Sequence, residues 1–203
     1  MSGPALVILA GGASSRLGAC KALVDLAGAT PLARLLAAGS ELAAARPLVI
    51  TGADHAAIAA AVPAEADVAR NERWRSGRTG SVQLAARLRP SLALCLAPVD
   101  VPRVPRGVFQ SLLGAWLAAG EPALGWLAPR VAGPPAHHGH PVVLGPDLLE
   151  LALSLGPDEP LRTLRTRARP LLSVPVSGTE ILESLDTPGD LARLRALAGS
   201  SGA

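Results

Sequence analysis

Residues 9–21, LAGGASSRLGACK, combine bare backbone with positive charge directly after a short apolar run. Gly11 and Gly12 have no Cβ atom, so the chain there can take positive φ angles and a ligand can approach the backbone closely. Successive backbone N–H groups in such a turn form an anion-binding concavity. Arg16 and Lys21 add fixed positive charge beside it. The stretch predicts a loop that holds the phosphates of a nucleoside triphosphate (NTP), with a glycine-rich turn carrying solvated cations as the alternative.

The spacing within this loop excludes two common phosphate-binding patterns. A Walker A loop needs a lysine directly after its last glycine and a Ser or Thr after that lysine. Here Ala19 follows Gly18, and Ala22 follows Lys21. The glycines at 11, 12 and 18 do not fit the G-x-G-x-x-G dinucleotide fingerprint either.

Asp100 is a second candidate for chemistry, because it follows the apolar run of LCLAPVDVP. A carboxylate beside a buried strand is costly unless it is paired, exposed or bound to a metal. Magnesium is often held by one or two carboxylates together with phosphate oxygens and water. A turn residue ahead of Pro102 is the simpler interpretation.

His137, His138 and His140 lie close together in AHHGHPVVL. Histidines this close in a Gly/Pro-rich loop have no preset geometry for a metal, and no carboxylate lies between them. We therefore do not expect a structural zinc site there.

Strand and helix patterns alternate along the chain and place these residues at the ends of strands. This alternation predicts an α/β fold, a single-domain doubly wound (Rossmann-like), mostly parallel sheet with helices on both faces. In such sheets ligands bind at the carboxyl ends of strands. The predicted strands are Ala5–Ala10, Pro47–Thr51, Asp67–Ala69, Leu92–Ala97, Ala123–Ala128, Pro141–Leu144 and Leu171–Val176. The predicted helices are Thr30–Ala45, Asp54–Val62, Ser81–Leu88, Pro105–Ala119, Asp147–Leu155, Pro160–Arg167 and Thr187–Leu197.

Length, charge and cysteine content limit the possible functions further. A chain of 203 residues suits one domain, which we expect over residues 1–197, followed by a flexible tail at 198–203. The net charge of +3 suits an anionic small-molecule substrate. The chain lacks the concentrated block of Lys and Arg residues that is typical of a nucleic-acid-binding protein. Cys20 and Cys95 form no metal or redox spacing. With no long apolar run and no basic leader-like segment, we expect a cytoplasmic protein.

The pattern LAGG-x-S-x-R-x-G-x-x-K resembles the signature of the MobA-like nucleotidyltransferases, which include molybdenum cofactor cytidylyltransferases and guanylyltransferases. Asp-x-Pro at 100–102, Asp-Thr-Pro at 186–188 and the segment from Asn71 to Ser81 are similar to further motifs of that family, in the same order. Two departures are Ser184, where the family usually has aspartate, and Glu72, where it usually has proline. Residues 156–164 match a further family element only loosely.

The resemblance implies a fold of the nucleotide-diphospho-sugar transferase type and a role for each matching residue. Arg16 and Lys21 would be catalytic and stabilise charge on the triphosphate, while Asp100 and Asp186 would bind Mg²⁺. Thr187 or Asp190 would otherwise only start the last helix, with Pro188 at its first position. The acceptor candidates are Trp74, Arg78 and His140. The nucleotide-binding candidates are Leu9, Ala10, Gly11, Gly12, Ala13, Ser14, Asn71, Ser81, Pro98 and Asp100.

The implied reaction moves a nucleoside monophosphate from CTP or GTP to a phosphorylated acceptor, with release of pyrophosphate. By resemblance the acceptor is molybdopterin or its molybdenum-loaded form. Gly11, in LAGG, favours the guanylyl branch, whereas Gly139-His140-Pro141 favours the cytidylyl branch, so the base stays open. Two alternatives remain: a sugar- or alcohol-phosphate nucleotidyltransferase on the same fold, and a non-catalytic nucleotide-binding domain.

Overall fold

A mixed sheet of eight strands organises the computed structural model, which describes residues 3–133, 136–156 and 159–200. Residues 157 and 158 of the loosely matching family element lie outside the described residues, as do 201–203 of the expected tail. The strands are β1 (Ala5–Ala10), β2 (Leu48–Thr51), β3 (Asp67–Arg70), β4 (Leu94–Pro98), β5 (Trp126–Val131), β6 (His137–His138), β7 (Val142–Leu144) and β8 (Leu171–Val176).

The sheet consists of a parallel half and a mixed half. Strands β3, β2, β1 and β4 lie side by side in that order, all parallel. Strand β7 pairs antiparallel with both β4 and β5, and β5 pairs parallel with β8. The predicted α/β class and mostly parallel sheet are confirmed. The reversed direction of β7 and the short strand β6, which pairs antiparallel with β5, were not predicted.

The described residues also form six α-helices and three short 3₁₀ segments. The helices are α1 (Pro31–Ala38), α2 (His55–Ala61), α3 (Arg78–Leu88), α4 (Arg106–Ala118), α5 (Pro146–Ala152) and α6 (Pro188–Ser200). The 3₁₀ segments are Trp74–Ser76, Leu161–Thr166 and Glu180–Leu182. Among the described helices, none combines the length and hydropathy that a membrane span requires.

Local hydrogen bonds explain where some of the helices begin and end. The Thr30 hydroxyl accepts from the Ala33 N–H at 3.2 Å, so Thr30 caps α1. The helix ends before Gly39, well short of the predicted Ala45. A Cβ at Gly39 would lie 2.7 Å from a methyl group of Leu6, so the chain passes too close to β1 for a larger residue. Asp54, the residue directly before α2, makes no capping hydrogen bond through its side chain.

The core lies in two layers, one on each face of the sheet. Along β1, Leu6 and Ile8 pack into one layer, whereas Val7 and Leu9 pack into the other. Every residue of β1 and β4 is buried, as expected of strands that are covered on both faces. Leu9 and Pro98 are neighbours across the β1–β4 pair, so the loops that follow these two strands begin side by side.

Candidate active site

A cavity of about 300 Å³ opens at the carboxyl ends of β1 and β4. Predicted nucleotide-binding and acceptor residues form most of its wall, together with Gly77 and Val99. The predicted lining residues are Leu9, Gly11, Gly12, Ser14, Lys21, Trp74, Arg78, Ser81, Pro98 and Asp100. The remaining predicted residues of this region, Ala10, Ala13, Arg16, Asn71 and Asp186, lie around the cavity and not in its wall.

Ser14 folds the loop that follows β1. Its backbone takes a positive φ of 53°, and its carbonyl oxygen accepts from the N–H groups of Leu17 and Gly18 at 3.0 and 3.1 Å. Its hydroxyl oxygen accepts from the Lys21 N–H at 3.1 Å. The loop is therefore closed on itself around Ser14, which fixes where Lys21 enters the cavity wall.

Two glycines set how closely the loops approach one another. A Cβ at Gly11 would lie 3.2 Å from the Ser81 hydroxyl oxygen, whereas no described atom lies within 4 Å of a Cβ placed at Gly12. A Cβ at Gly52 would overlap the Gly11 carbonyl oxygen and lie 2.6 Å from the Trp74 Cβ. Sequence reasoning missed Gly52. Its only signal was its position directly after the second predicted strand.

Lys21 and Arg16 converge on one carboxylate. The Lys21 Nζ donates to Asp186 Oδ1 at 2.6 Å, and the Arg16 guanidinium donates to the same oxygen at 2.9 Å. Only 14% of the Lys21 side chain is exposed, against 71% for Arg16. The hydrogen bond from Lys21 lowers the pKa of Asp186 below its ordinary value. Asp186 therefore carries a negative charge that holds Lys21 in place.

Asp100 has a cationic partner as well. The Arg78 guanidinium donates to Asp100 Oδ2 at 3.0 Å. The Asp100 backbone carbonyl accepts from the Leu185 N–H at 2.7 Å, which ties the loop after β4 to the segment that carries Asp186. The two predicted metal ligands therefore lie on loops that are bonded to each other.

The donor set suits a divalent cation shared with a triphosphate. Asp100 and Asp186 supply hard carboxylate oxygens, and Mg²⁺ in proteins is commonly held by one or two carboxylates plus substrate phosphates. Within the described part of the chain, no group of three or more His, Cys, Asp or Glu residues is placed to hold a metal ion. The two carboxylates therefore fit a cation whose remaining ligands would be phosphate oxygens and water.

Thr187 and Asp190 cap the start of α6. The Thr187 hydroxyl accepts from the Asp190 N–H at 3.2 Å, and the Asp190 carboxylate accepts from the Thr187 N–H at 2.9 Å. It also accepts from the Asp186 N–H at 3.1 Å. This reciprocal arrangement is a capping box. Thr187 and Asp190 therefore do start the helix, and their bonds fix the backbone at Asp186.

Asn71 supports the site from behind. Its side chain is buried, and its Nδ2 donates to the Ser81 hydroxyl at 3.0 Å while its Oδ1 accepts from the Arg73 N–H at 3.0 Å. Asn71 thereby holds Ser81 in the cavity wall. Trp74 forms another part of that wall, and the guanidinium of Arg75 stacks on its ring at 4.3 Å from the centroid.

A second cavity, of about 710 Å³, adjoins the first and shares Gly77 and Arg78 with it. Its wall also contains His140 and three arginines that sequence reasoning did not join into one site: Arg75, Arg162 and Arg165. Apolar side chains such as Trp126 and Leu161 complete it.

His140 lies in the wall of this second cavity as a neutral side chain. Burial lowers the pKa of His140 to about 4, and the nearby positive charge of Arg78 acts in the same direction. Its Nδ1 atom is buried, and no hydrogen-bond partner for it exists among the described residues. Its backbone N–H donates to the Ile181 carbonyl at 3.1 Å. His140 therefore presents an imidazole that is held in place and has one unpaired nitrogen.

Several solved proteins of low sequence identity share the fold of this chain. A mycobacterial protein, Rv0371C of Mycobacterium tuberculosis H37Rv in complex with manganese, superposes with a TM-score of 0.75 at 23% identity, over 96% of this chain and 98% of that one. Molybdopterin-guanine dinucleotide biosynthesis protein A from Archaeoglobus fulgidus superposes at 0.70 and 19% identity, over 96% and 98%. The 2-C-methyl-D-erythritol 4-phosphate cytidylyltransferase of Thermus thermophilus superposes at 0.71 and 19% identity, over 98% and 100%.

The family itself is established by sequence. The model of the MobA-like NTP transferase domain matches residues 6–171, and the chain belongs to that family. The predicted family and fold are confirmed. No curated protein matches the chain significantly.

Proposed function

We propose that this protein transfers a nucleoside monophosphate from CTP or GTP to a phosphorylated acceptor in a Mg²⁺-dependent reaction that releases pyrophosphate. Molybdopterin, or its molybdenum-loaded form, is the proposed acceptor. One observation carries the proposal: the glycine loop, Lys21 and Asp100 line the same cavity at the ends of β1 and β4.

In this reaction an oxygen of the acceptor phosphate attacks the α-phosphorus of the NTP, and the bond from that phosphorus to the bridging oxygen breaks. Pyrophosphate leaves with the electron pair. The attacking phosphate is already ionised near neutral pH, so no side chain has to remove a proton. The work of the protein is to position the two phosphates and to neutralise their charge.

The residues of the first cavity divide this work between them. The backbone at Gly11 and Gly12 faces the triphosphate, and Lys21 neutralises charge that develops on the leaving group. Arg16, which is mostly exposed, adds charge at the cavity mouth. Asp100 and Asp186 would hold Mg²⁺, which when bound neutralises and polarises the phosphates. Lys21 would then exchange its bond to Asp186 for one to a phosphate.

The second cavity is the proposed acceptor site. It adjoins the first at Arg78, where the attacking phosphate has to lie, and its arginines suit an anionic acceptor. A sugar- or alcohol-phosphate acceptor is the second candidate. The structural likeness to a cytidylyltransferase that acts on 2-C-methyl-D-erythritol 4-phosphate supports it.

Nucleotide binding is the first test. CTP, GTP, ATP and UTP are each titrated by calorimetry with and without Mg²⁺, into the wild type and into Lys21→Ala. A single Mg²⁺-dependent nucleotide, lost in the variant, is the expected result. If none of the four nucleotides binds, the proposal is wrong.

The acceptor is tested next, by pyrophosphate release with molybdopterin and with sugar and alcohol phosphates. Turnover with only one acceptor class assigns the substrate.

Asp100→Asn tests the proposed metal ligand. This variant should bind the nucleotide equally with and without Mg²⁺ and should lose turnover. If it kept both the metal dependence and turnover, Asp100 would have no role as a metal ligand.

A further inference from the structure

Arg78 is the only charged side chain that lines both cavities of the described structure. It is the first residue of α3 and follows Gly77, whose φ of 110° lies in the region that favours glycine. About half of the Arg78 side chain is exposed (52%), so the guanidinium has room to move. Arg78 therefore stands where the nucleotide and the acceptor have to meet.

Arg78 is bonded to a carboxylate that a divalent cation would need as a ligand. Its guanidinium is bonded to Asp100 Oδ2 at 3.0 Å, and Asp100 is the carboxylate that the proposed function gives to the metal. A guanidinium and a divalent cation on the same carboxylate repel each other. Binding of a metal–nucleotide complex at Asp100 therefore displaces Arg78 from this bond.

The second cavity offers a destination for the displaced guanidinium. Arg78 already forms part of its wall, which is also lined by Arg75, Arg162 and Arg165. Glu159 is the only acidic residue in this wall among the described residues, and none of these three arginines forms an ion pair, so the wall keeps an excess of positive charge that suits an anion. An anionic group of the acceptor is the ligand that Arg78 would meet there.

We propose that Arg78 couples the two cavities: the metal–nucleotide complex takes Asp100, and the released Arg78 binds the anionic group of the acceptor. The proposal rests on the proposed function and adds an order to it, in which the nucleotide binds before the acceptor. By reciprocity, the acceptor tightens nucleotide binding by the same factor as the nucleotide tightens acceptor binding.

The bond that has to break is weak. Ion pairs between partly exposed groups contribute about 1 kcal/mol at most, which corresponds to roughly a fivefold change in an equilibrium constant. The exchange therefore costs little metal affinity. A charge-assisted hydrogen bond to a phosphate, formed in return, is among the stronger polar contacts.

The test measures metal and phosphate binding separately in three variants. Arg78→Met removes the charge, and Arg78→Lys keeps it. Arg87→Met is the matched control, since Arg87 lies on the same helix, is exposed and lines neither cavity. Mn²⁺ is titrated into each free protein. Inorganic phosphate is titrated into each protein saturated with Mg²⁺ and the α,β-methylene analogue of the nucleotide that binds.

Arg78→Met should bind Mn²⁺ up to about fivefold more tightly than the wild type, because the competing cation is gone. It should bind phosphate roughly tenfold more weakly, because a charge-assisted bond is lost. The affinities of Arg78→Lys for Mn²⁺ and for phosphate should lie between those of the wild type and Arg78→Met. Arg87→Met should have the affinities of the wild type. A purely structural role for Arg78 would weaken both kinds of binding, so the opposite signs are diagnostic.

Three results would overturn the inference. One is unchanged or weaker Mn²⁺ binding by Arg78→Met, and another is unchanged phosphate binding. The third is a loss of binding to the nucleotide analogue itself, which would place Arg78 on the triphosphate. Failure of the wild type to bind any nucleotide would instead refute the proposed function, so the two failures are distinguishable.

Discussion

The two cavities differ in what they offer to an anion. The first is shaped by backbone, with Gly11, Gly12 and Gly77 in its wall and one largely buried cation, Lys21. The second is larger and is lined by side chains, among them the guanidinium groups of Arg162 and Arg165. The first is fixed by the ends of two central strands, whereas the second depends on long side chains that rotate.

Under the proposed function, this difference would separate catalysis from selectivity. Backbone groups cannot be exchanged by mutation, so a loop built from them suits the part of the substrate that would not vary, the triphosphate. Side chains are replaced easily, and arginine is suited to planar, bidentate recognition of phosphate. We infer that related chains keep the first cavity and change acceptors by changing the second.

The largest expected effect comes from replacing Lys21 in the wall of the first cavity. It is the only lysine in the sequence, although the chain contains many arginines. Lys21→Met should lower turnover by about 10²–10³, the usual cost of losing one preorganised group that stabilises transition-state charge. Lys21→Arg should recover only part of that loss, because a guanidinium is larger and planar.

The measurement for Lys21 is pyrophosphate release under saturating acceptor. Arg87→Met serves as the control for the loss of one positive charge. Full activity of Lys21→Arg would show that only the charge matters at this position and not the shape of the side chain.

His140, in the wall of the second cavity, should make the stability of the protein depend on pH. Because the pKa of His140 is about 4 in the folded protein and about 6.5 in an unfolded chain, only the unfolded state takes up a proton as the pH falls below 6.5. The free energy of unfolding should therefore fall by about 2 kcal/mol from this group between pH 8 and pH 5.

Urea unfolding of the wild type and His140→Gln at pH 8 and pH 5 measures this contribution. The variant should lose less stability over the same interval. His137→Gln is the matched control for the loss of one imidazole, since His137 is exposed. An equal loss of stability between pH 8 and pH 5 in His140→Gln and in the wild type would contradict a His140 that stays neutral in the folded protein.

A smaller effect should follow from changing the far wall of the second cavity. Arg162→Met and Arg165→Met should each raise the KM for an anionic acceptor about tenfold, because each removes a charge-assisted contact. Nucleotide affinity should stay unchanged, since neither side chain lines the first cavity. Steady-state kinetics with each substrate varied in turn gives both values, and weaker nucleotide binding would show that the two cavities are not separate.

The same contrast explains what the sequence could predict. Much of the first cavity comes from one continuous stretch, the glycine loop that starts at the end of a strand, so type and spacing could predict it as a phosphate-binding loop. The family resemblance added candidates from the stretches around residues 71–81 and 98–100. The second cavity is assembled from distant stretches, with Arg75 and Arg78 on one side and Arg162 and Arg165 on the other. Nothing in the local pattern of either stretch points to the other, so the predicted acceptor site included residues of the first stretch and His140 but neither Arg162 nor Arg165.

Strand direction escaped prediction for a related reason. Strand β7 is buried throughout, and a run of apolar residues has the same pattern in a parallel and an antiparallel strand. Its reversal brings the loop with His140 to the same edge of the sheet as Asp100, because β7 pairs antiparallel with β4. The proposed acceptor cavity thus depends on a feature of the sheet that the sequence pattern could not show.

The smallest expected effect tests how the last helix supports the first cavity. Thr187→Ala removes the hydroxyl that accepts from the Asp190 N–H, and loss of such a cap costs about 1 kcal/mol of stability. Because Asp190 also accepts from the Asp186 N–H, Asp190→Ala should destabilise the start of α6 and in addition loosen Asp186, the partner of Lys21. Thr187→Ala should therefore change the unfolding free energy with little effect on nucleotide affinity, whereas Asp190→Ala should change both. Chemical denaturation and calorimetry on the pair decide this, and equal nucleotide affinities in the two variants would show that the cap stabilises the fold without positioning the site.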